Sequence, residues 1–464
     1  MYGGTIESDQ PDISTDVLII GGGVAGLSAA VDLTLQGYSI VLVEQKKHLG
    51  GRTYSFPHPE TGSEVDNGQH LMMGCYAATL RYIESIGSAD DIRIQDRLSI
   101  TFKHRTNRSS KLQAALLPAP LNIAAGLLRL TSLSLPERLS LLRVGLDLLM
   151  KDPDTDKQLR SITVAQWLER LKQSERNKQY LWDIIAVGAL NDSPDKISAA
   201  LFAKVLKTAF FGSRKNSSMV IPQRGLSVVL IEKAAALIAR QGGRVFTDTT
   251  AIVRDNADLV SGKIRLENGR TIHTKAIISA VPYFDIPKVF GSGESIGVRN
   301  IDQFASSPIV TLHLWFDSHF MHEEFVALLD SPLHWVFNKS KMCGKENDAL
   351  MYLSIVISGA EELVTQSKEL LAGMAYSELR HYYPTAASSN IVHSLVIKEK
   401  RATFSPSVGS ERFRPPHRTS VPNLFLAGDW TDTKLPATIE GAIQSGYACS
   451  ALAQEYLKTK NPNR

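Results

Sequence analysis

DVLIIGGGVAGLSAAVDLTLQGYSIVLVE, residues 16–44, is the stretch from which the fold can be read. Val17–Ile20 is a short apolar run suited to a strand buried on both faces. Gly21, Gly23 and Gly26 follow in G-x-G-x-x-G spacing. Leu27, Ala30, Val31 and Leu33 then repeat at helical spacing until Gly37 closes the helix. A second strand, Ser39–Val43, ends at Glu44, roughly 20 residues past the first glycine. In such a unit the first glycine permits a tight turn, the second lets backbone approach a pyrophosphate, and the third lets helix pack on strand. The helix N-terminus receives the phosphates, and Glu44 accepts hydrogen bonds from a ribose diol. The order strand, glycines, helix, strand, acid predicts a dinucleotide site and leaves NAD or FAD open at this point.

At 464 residues the chain exceeds one comfortable hydrophobic core, which predicts two domains. Its 43% hydrophobic and 21% charged residues are those of an ordinary globular enzyme. A formal charge of +4 is too weak to argue for a nucleic-acid partner, yet it does not oppose an anionic membrane surface. Cys75, Cys343 and Cys449 form no C-x-x-C pair, so neither a disulfide framework, a metal site nor a dithiol centre is expected. Idle thiols suit a reducing compartment. The opening MYGGTIESDQPDISTD lacks the apolar core of a secretory signal. No apolar run of about 18 residues offers a transmembrane helix, and the expected location is cytoplasmic.

Beyond Glu44 comes His48-Leu49-Gly50-Gly51-Arg52-Thr53. Paired glycines followed by arginine let backbone and guanidinium close over a phosphate from the far side. NAD dehydrogenases do not need this element, whereas the arrangement resembles flavoproteins of the amine-oxidase and carotenoid-desaturase superfamily. In that superfamily the segment similar to Glu64–Gly74, EVDNGQHLMMG, runs beneath the flavin ring. Asp66 and Asn67 are read as caps of the helix beginning near Tyr76. His70 is then the titratable group nearest the ring face, either a catalyst or a buried structural histidine.

Residues 98–150 change character. Lys103, His104, Arg105, Arg108 and Lys111 form a basic cluster, followed by Leu112–Leu117, a Pro118-Ala119-Pro120 turn and two leucine-rich helical stretches broken by Pro136. They read either as a face docking on anionic membrane or as an ordinary helical subdomain with a solvated basic loop. Gln158–Phe211 reads as helical. Helix Val228–Arg240 and strands Arg244–Val253, Leu259–Glu267 and Thr271–Val281 follow, the last two joined by the hairpin signal Asn268-Gly269. Ser307–Asp317, Leu333–Asn338 and Met351–Ile357 are strand-like. Trp315, Trp335 and Phe337 on them either line an apolar cleft or sit in the core.

Asn423–Gly428, NLFLAG, is a strand running into Asp429, with the loop WTDTKLP and a helix from Thr438 behind it. Strand, A-G-D and helix resemble the superfamily's second FAD signature. The resemblance implies that Gly428 and Asp429 meet the ribityl or pyrophosphate region and that Ala251 joins the cofactor site. It also implies that Thr438 and Ile439 open a helix aimed at the flavin N1–C2=O edge, where its dipole favours negative charge. No cysteine lies between Cys343 and Cys449, so the FAD is expected to be non-covalent.

Together VDNGQHLMMGCYAATLRYIESIG, SPIVTLHLWFD and FLAGDWTDTKLPATIEGAIQSG resemble the squalene-associated FAD-dependent desaturase group. The implied fold is α/β: a Rossmann-like FAD-binding domain (1–97, 215–290 and 415–464) interleaved with a mixed-sheet and helical substrate domain (98–214 and 291–414). The implied reaction belongs to squalene and hopanoid biosynthesis. An allylic hydroxyl of the C30 polyisoprenoid hydroxysqualene leaves as water and a hydride replaces it, with NAD(P)H or a reductase as reductant. Peripheral contact with the inner face of the cytoplasmic membrane would accompany so hydrophobic a substrate. The departing hydroxyl needs an acid, for which His70, Asp432 and Glu440 are candidates, Glu440 doubling as helix-end structure. The allylic cation needs a dry cleft with aromatic walls, for which Trp430 joins Trp315, Trp335 and Phe337.

Three alternatives stand beside this reading. An oxidative carotenoid-type desaturase would use the same fold with hydride moving toward the flavin. A flavin amine oxidase commonly frames its flavin with two aromatic side chains, one at the place held here by Thr438. A non-enzymatic prenyl-lipid carrier need not keep Gly21, Gly23, Gly26, Glu44, Arg52 and Asp429 together.

Overall fold

The computed structural model of the chain describes residues 12–106 and 108–460. The N-terminal reading, where it rests on residues 1–11, lies outside them. Among the described residues two seven-stranded sheets organise the molecule. At the centre of the first, Ile13–Ile20 pairs in parallel with Ile40–Val43 on one side and with Thr271–Ser279 on the other. Arg244–Phe246 extends the sheet beyond Ile40–Val43. Leu424–Leu426, from the far end of the chain, pairs in parallel with Ile277–Ser279. Lys263–Leu266 and Ala251–Ile252 complete it in antiparallel fashion.

Val17–Ile20 is apolar at every position because both faces of this sheet are covered. Val17 and Ile19 pack with Leu27 and Val31 of helix Val24–Leu35 and with Ile443 of helix Ile439–Lys460. Leu18 and Ile20 pack on the other side with Val41, Ile277, Leu424 and Trp430. The two helices touch backbone to backbone. A Cβ on Gly446 would stand 2.3 Å from the Ala25 carbonyl oxygen, and Ser28 Oγ donates to the Ile443 carbonyl at 3.2 Å.

The expected strand Leu259–Glu267 begins later than its apolar pattern indicates. Asp255 caps a short helix, Asn256–Ser261, which buries Leu259. Gly262, at φ +69°, ends that helix, and the strand starts at Lys263. Arg244–Val253 is likewise split into two short strands.

The second sheet runs, edge to edge, through Ile391–Phe404, Ser306–Phe316, Met351–Ser358, Trp335–Asn338, Phe325–Leu328, Ser99–Lys103 and Ser109–Gln113. It is antiparallel except where Phe325–Leu328 meets Ser99–Lys103. One face, with Val310, Leu312, Leu314, Val336 and Leu353, packs against helix Lys368–Tyr382. On the other face Phe325, Trp335, Phe337 and Val356 join a core with Trp167, Leu181 and Phe202 from the helices between Leu121 and Phe210. No helix among the described residues is long and apolar enough to cross a membrane.

Candidate functional site

Gly21 leaves its strand at φ +110°, and a Cβ there would come 2.9 Å from the Ala280 carbonyl. On Gly26 a Cβ would come 2.0 Å from the Gly21 carbonyl oxygen, so the helix rests directly on the turn. Around Gly23 the opposite holds: nothing lies within 4 Å of the Cβ position. Gly23 is the N-cap of helix Val24–Leu35, which has no side-chain cap and no acid in its first turn. Its leading N–H groups therefore meet open space with no side-chain acceptor, and an anionic pyrophosphate fits there.

Gly50 and Gly51 form the other bank. The Gly50 N–H donates to the Gly22 carbonyl at 2.8 Å, and a Cβ on Gly51 would reach 3.4 Å from the Gly23 Cα. Glu44 accepts from the Gly22 N–H at 2.7 Å and from the Lys46 N–H at 2.8 Å, which fixes its carboxylate beside the loop. Ala251 is buried. Two residues upstream the Thr249 N–H donates to the Glu44 carbonyl at 3.2 Å, so this segment runs alongside the acid.

The two ends of the chain meet at Arg52. Its Nη2 donates to Asp429 Oδ1 at 2.8 Å and its Nη1 to the Ala402 carbonyl at 2.6 Å. The guanidinium expected over a phosphate is thus tied to the acid of the second signature. Arg414 braces the same loop from behind. Its nitrogens donate to the Asp429 carbonyl at 2.8 Å, Thr433 Oγ1 at 2.7 Å and the Leu435 carbonyl at 2.6 Å. Burial pulls its pKa down to about 10, which leaves it charged at neutral pH. The Gly428 N–H, at φ +142°, donates to Ser445 Oγ at 2.7 Å. Thr438 Oγ1 accepts from the Gly441 N–H at 3.1 Å, capping the C-terminal helix, while Ile439 is buried in the core.

Each of the three candidate acids already holds a partner. Glu440 accepts from the Ala78 N–H at 3.0 Å, the Thr79 N–H at 2.8 Å and Thr79 Oγ1 at 2.7 Å. It caps helix Ala77–Ser85, the task assigned to Asp66 and Asn67, and acts only as an acceptor. Asp432 pairs with Lys434 at 2.6 Å on a partly exposed loop. His70 bonds the Gly68 carbonyl through Nδ1 at 2.7 Å, and burial holds its pKa below the usual histidine value. Neutral at neutral pH, its imidazole carries the proton on Nδ1 and presents Nε2 as an acceptor.

Asp66 has a different partner altogether. Its Oδ2 meets Lys339 Nζ at 2.9 Å, with side chains 1% and 2% exposed. Its Oδ1 accepts from the Leu226 N–H at 2.9 Å and Ser55 Oγ at 2.7 Å. Burial opposes both charges, but their mutual attraction outweighs it, holding Asp66 below and Lys339 above their ordinary pKa ranges.

The aromatic residues separate. Trp430 donates to the Val281 carbonyl at 3.0 Å and packs by Tyr283 and Phe304 in the core of the first sheet, so it is no cleft wall. Trp315 stacks on Tyr352 with centroids 4.5 Å apart and planes at 10°. Tyr352 Oη bonds His313 Nδ1 at 2.8 Å, and burial drops the His313 pKa to about 3. A cavity of about 580 Å³ opens beside them, lined by Glu60, Glu64, Arg224 and Lys339 as well as the two rings; it is charged rather than greasy.

Trp335 and Phe337 lie on the same sheet face but against the helices, 6.4 Å apart. Phe337 is core. Trp335 is partly exposed, as are Leu71, Phe210, Met219 and Ile309 packed on the same core. A Cβ on Gly68 would stand 3.7 Å from both His70 Cε1 and Thr311 Oγ1, which ties the His70 segment to this face. Lys339, His313, Tyr352 and Arg414 were not singled out from the sequence.

A parallel dinucleotide sheet, closed by a returning C-terminal strand and helix and joined to an antiparallel sheet, defines the flavoprotein oxidoreductase class of fold. Residues 24–453 match the model of the flavin containing amine oxidoreductases, and the chain belongs to that family. The family implies a flavin, which fits the open helix N-terminus at Gly23. Among solved structures, cyclohexylamine oxidase from Brevibacterium oxydans shares the fold with a TM-score of 0.68, 18% identity and coverage of 96% of this chain and 99% of that one. Hydroxysqualene dehydroxylase from Rhodopseudomonas palustris is 28% identical over 94% of this chain and 97% of its own length. A 15-cis-phytoene desaturase from Narcissus pseudonarcissus is 24% identical over 97% and 81%.

Proposed function

We propose that the flavin is FAD, held non-covalently, and that the chain reduces the C30 polyisoprenoid hydroxysqualene to squalene. The observation that carries this reading is the resemblance to hydroxysqualene dehydroxylase over 94% of one chain and 97% of the other. The apolar side chains left partly exposed around Trp335 support it. On this reading the N-terminus of Val24–Leu35, with Gly23, Gly51 and Glu44, holds the dinucleotide, and Arg52 and Asp429 hold its middle. The capped helix from Ile439 favours negative charge at its N-terminus. When bound and reduced, the flavin supplies the hydride that replaces the hydroxyl.

The chain's own residues do the rest. Leu71, Phe210, Met219 and Ile309 keep water from the allylic cation, and Trp335 turns an aromatic face to it. His70 Nε2 accepts a hydrogen bond from the substrate hydroxyl and orients it. The departing hydroxyl takes one proton from solvent and leaves as water as the C–O bond breaks, and the hydride that the flavin would supply forms the C–H bond. NAD(P)H or a reductase returns the two electrons.

Anaerobic incubation of chemically reduced protein with hydroxysqualene is expected to yield squalene; recovery of the alcohol unchanged overturns the reading. The similarity to a phytoene desaturase favours a second reading in which hydride moves the other way. Desaturation of phytoene by the oxidised protein would identify it.

A further inference from the structure

Helix Leu135–Met150 buries Leu141, Val144 and Leu148 on one side. At about 100° per residue, Leu135, Leu139, Leu142, Leu146, Leu149 and Met150 fall within an arc of about 100° on the other. A helix on an ordinary solvated surface carries its charges there. Here five of those six side chains are between 53% and 78% exposed. Leu121, which opens the neighbouring helix Leu121–Leu128, is 59% exposed, and Leu116 and Leu117 just before it are exposed as well.

Charge selects what covers this face. Arg138 and Arg143 flank the stripe on its two sides, and Arg129 is exposed where the two helices join. From Leu121 to Leu146 three arginines stand against one acid, Glu137. That acid is turned back onto the Ser134 N–H and Oγ, both at 2.7 Å. Asp147 points inward to Trp167 Nε1 at 2.9 Å. A second copy of the chain would set this cationic border against its own image. An anionic lipid surface complements the leucines and the arginines together.

The geometry points to Leu116–Leu121 and the stripe of Leu135–Met150 as a membrane-docking face that lies in the plane of an anionic leaflet. The assignment stands apart from the substrate reading. The inner faces of the two helices, through Ile123, Leu127, Leu141 and Leu148, belong to the core that carries Trp335. The docking face and the apolar residues around Trp335 therefore share one helical layer.

Flotation of the intact protein with vesicles tests the assignment. Phosphatidylcholine mixed with equal phosphatidylglycerol is expected to retain the protein, phosphatidylcholine alone to retain far less, and added salt to weaken the binding. A Leu139→Gln, Leu146→Gln, Leu149→Gln variant is expected to melt like the parent and to lose about a hundredfold in vesicle affinity. Arg129→Glu with Arg143→Glu, which leaves every leucine in place, is expected to abolish the preference for anionic lipid. The assignment is overturned if the parent floats with neither vesicle or if the leucine variant binds like the parent. It also falls if that variant turns an oligomer into a monomer in sedimentation equilibrium while vesicle binding stays unchanged.

Discussion

At the glycine loop a Cβ on Gly26 would stand 2.0 Å from the Gly21 carbonyl oxygen, while beside the second sheet Lys339 and Asp66 meet at 2.9 Å from positions 273 residues apart. The first region is shaped by backbone that approaches too closely for any side chain. The second is shaped by side chains whose partners lie far away in the sequence. Substitutions should therefore act differently on the two: by steric intrusion at the loop, and by abandoned charge or lost hydrogen bonds on the sheet.

The sharpest contrast lies within the loop itself. Gly26→Val should prevent folding or cost about 3 kcal/mol or more, because the blocking atom is a backbone oxygen. Gly23→Ala, with nothing within 4 Å of its Cβ, should melt like the parent yet hold flavin more weakly. Thermal melts with flavin absorbance check both, and equal melting of the two variants would break the argument from backbone.

Lys339→Met should cost about 3–5 kcal/mol in urea unfolding, because it leaves Asp66 charged and buried. Adding Asp66→Asn should recover part of that loss. The pH dependence has a definite sign at each end. Asp66, held below its ordinary range, stabilises the fold above the unfolded carboxylate pKa, and this is lost as pH falls through its lower folded value. Lys339, held above its range, stabilises below the unfolded lysine pKa, and this is lost as pH rises through its higher folded value.

His313 gives a smaller effect at milder pH. Folded, it stays neutral down to about 3; unfolded, it titrates near 6.5, so stability is full above about 6.5 and falls by about 2 kcal/mol by pH about 5. His313→Gln should flatten that limb in a series of melts. Tyr352→Phe, which removes only the 2.8 Å bond to His313, should cost about 1 kcal/mol.

The same contrast explains what could be read from the chain. Gly21 and Gly26 were legible because their spacing answers to neighbouring backbone, and Gly23 because the space in front of it is left open. Asp66 and Asn67 misled because a rule of local capping was applied where the cap, Glu440, arrives from 361 residues away. Lys339, at the end of the apolar strand Trp335–Asn338, looks like a lysine facing water until Asp66 is found opposite. Alternation along Ser306–Phe316 separates Trp315 from Phe316, one on each face. No such alternation tells Trp315, beside a charged cavity, from Trp335, packed against the helices, because both lie on the same face. That distinction comes from which distant segments cover each half.

Strand Thr271–Ser279 holds Ile13–Ile20 on one side and Leu424–Leu426 on the other. During synthesis the ribosome must release nearly the whole polypeptide before this sheet has its last parallel neighbour and before Arg52 finds Asp429. Flavin loading is accordingly expected late, and a chain cut short before residue 424 is expected to expose an open sheet edge and to lack Asp429 as the partner of Arg52.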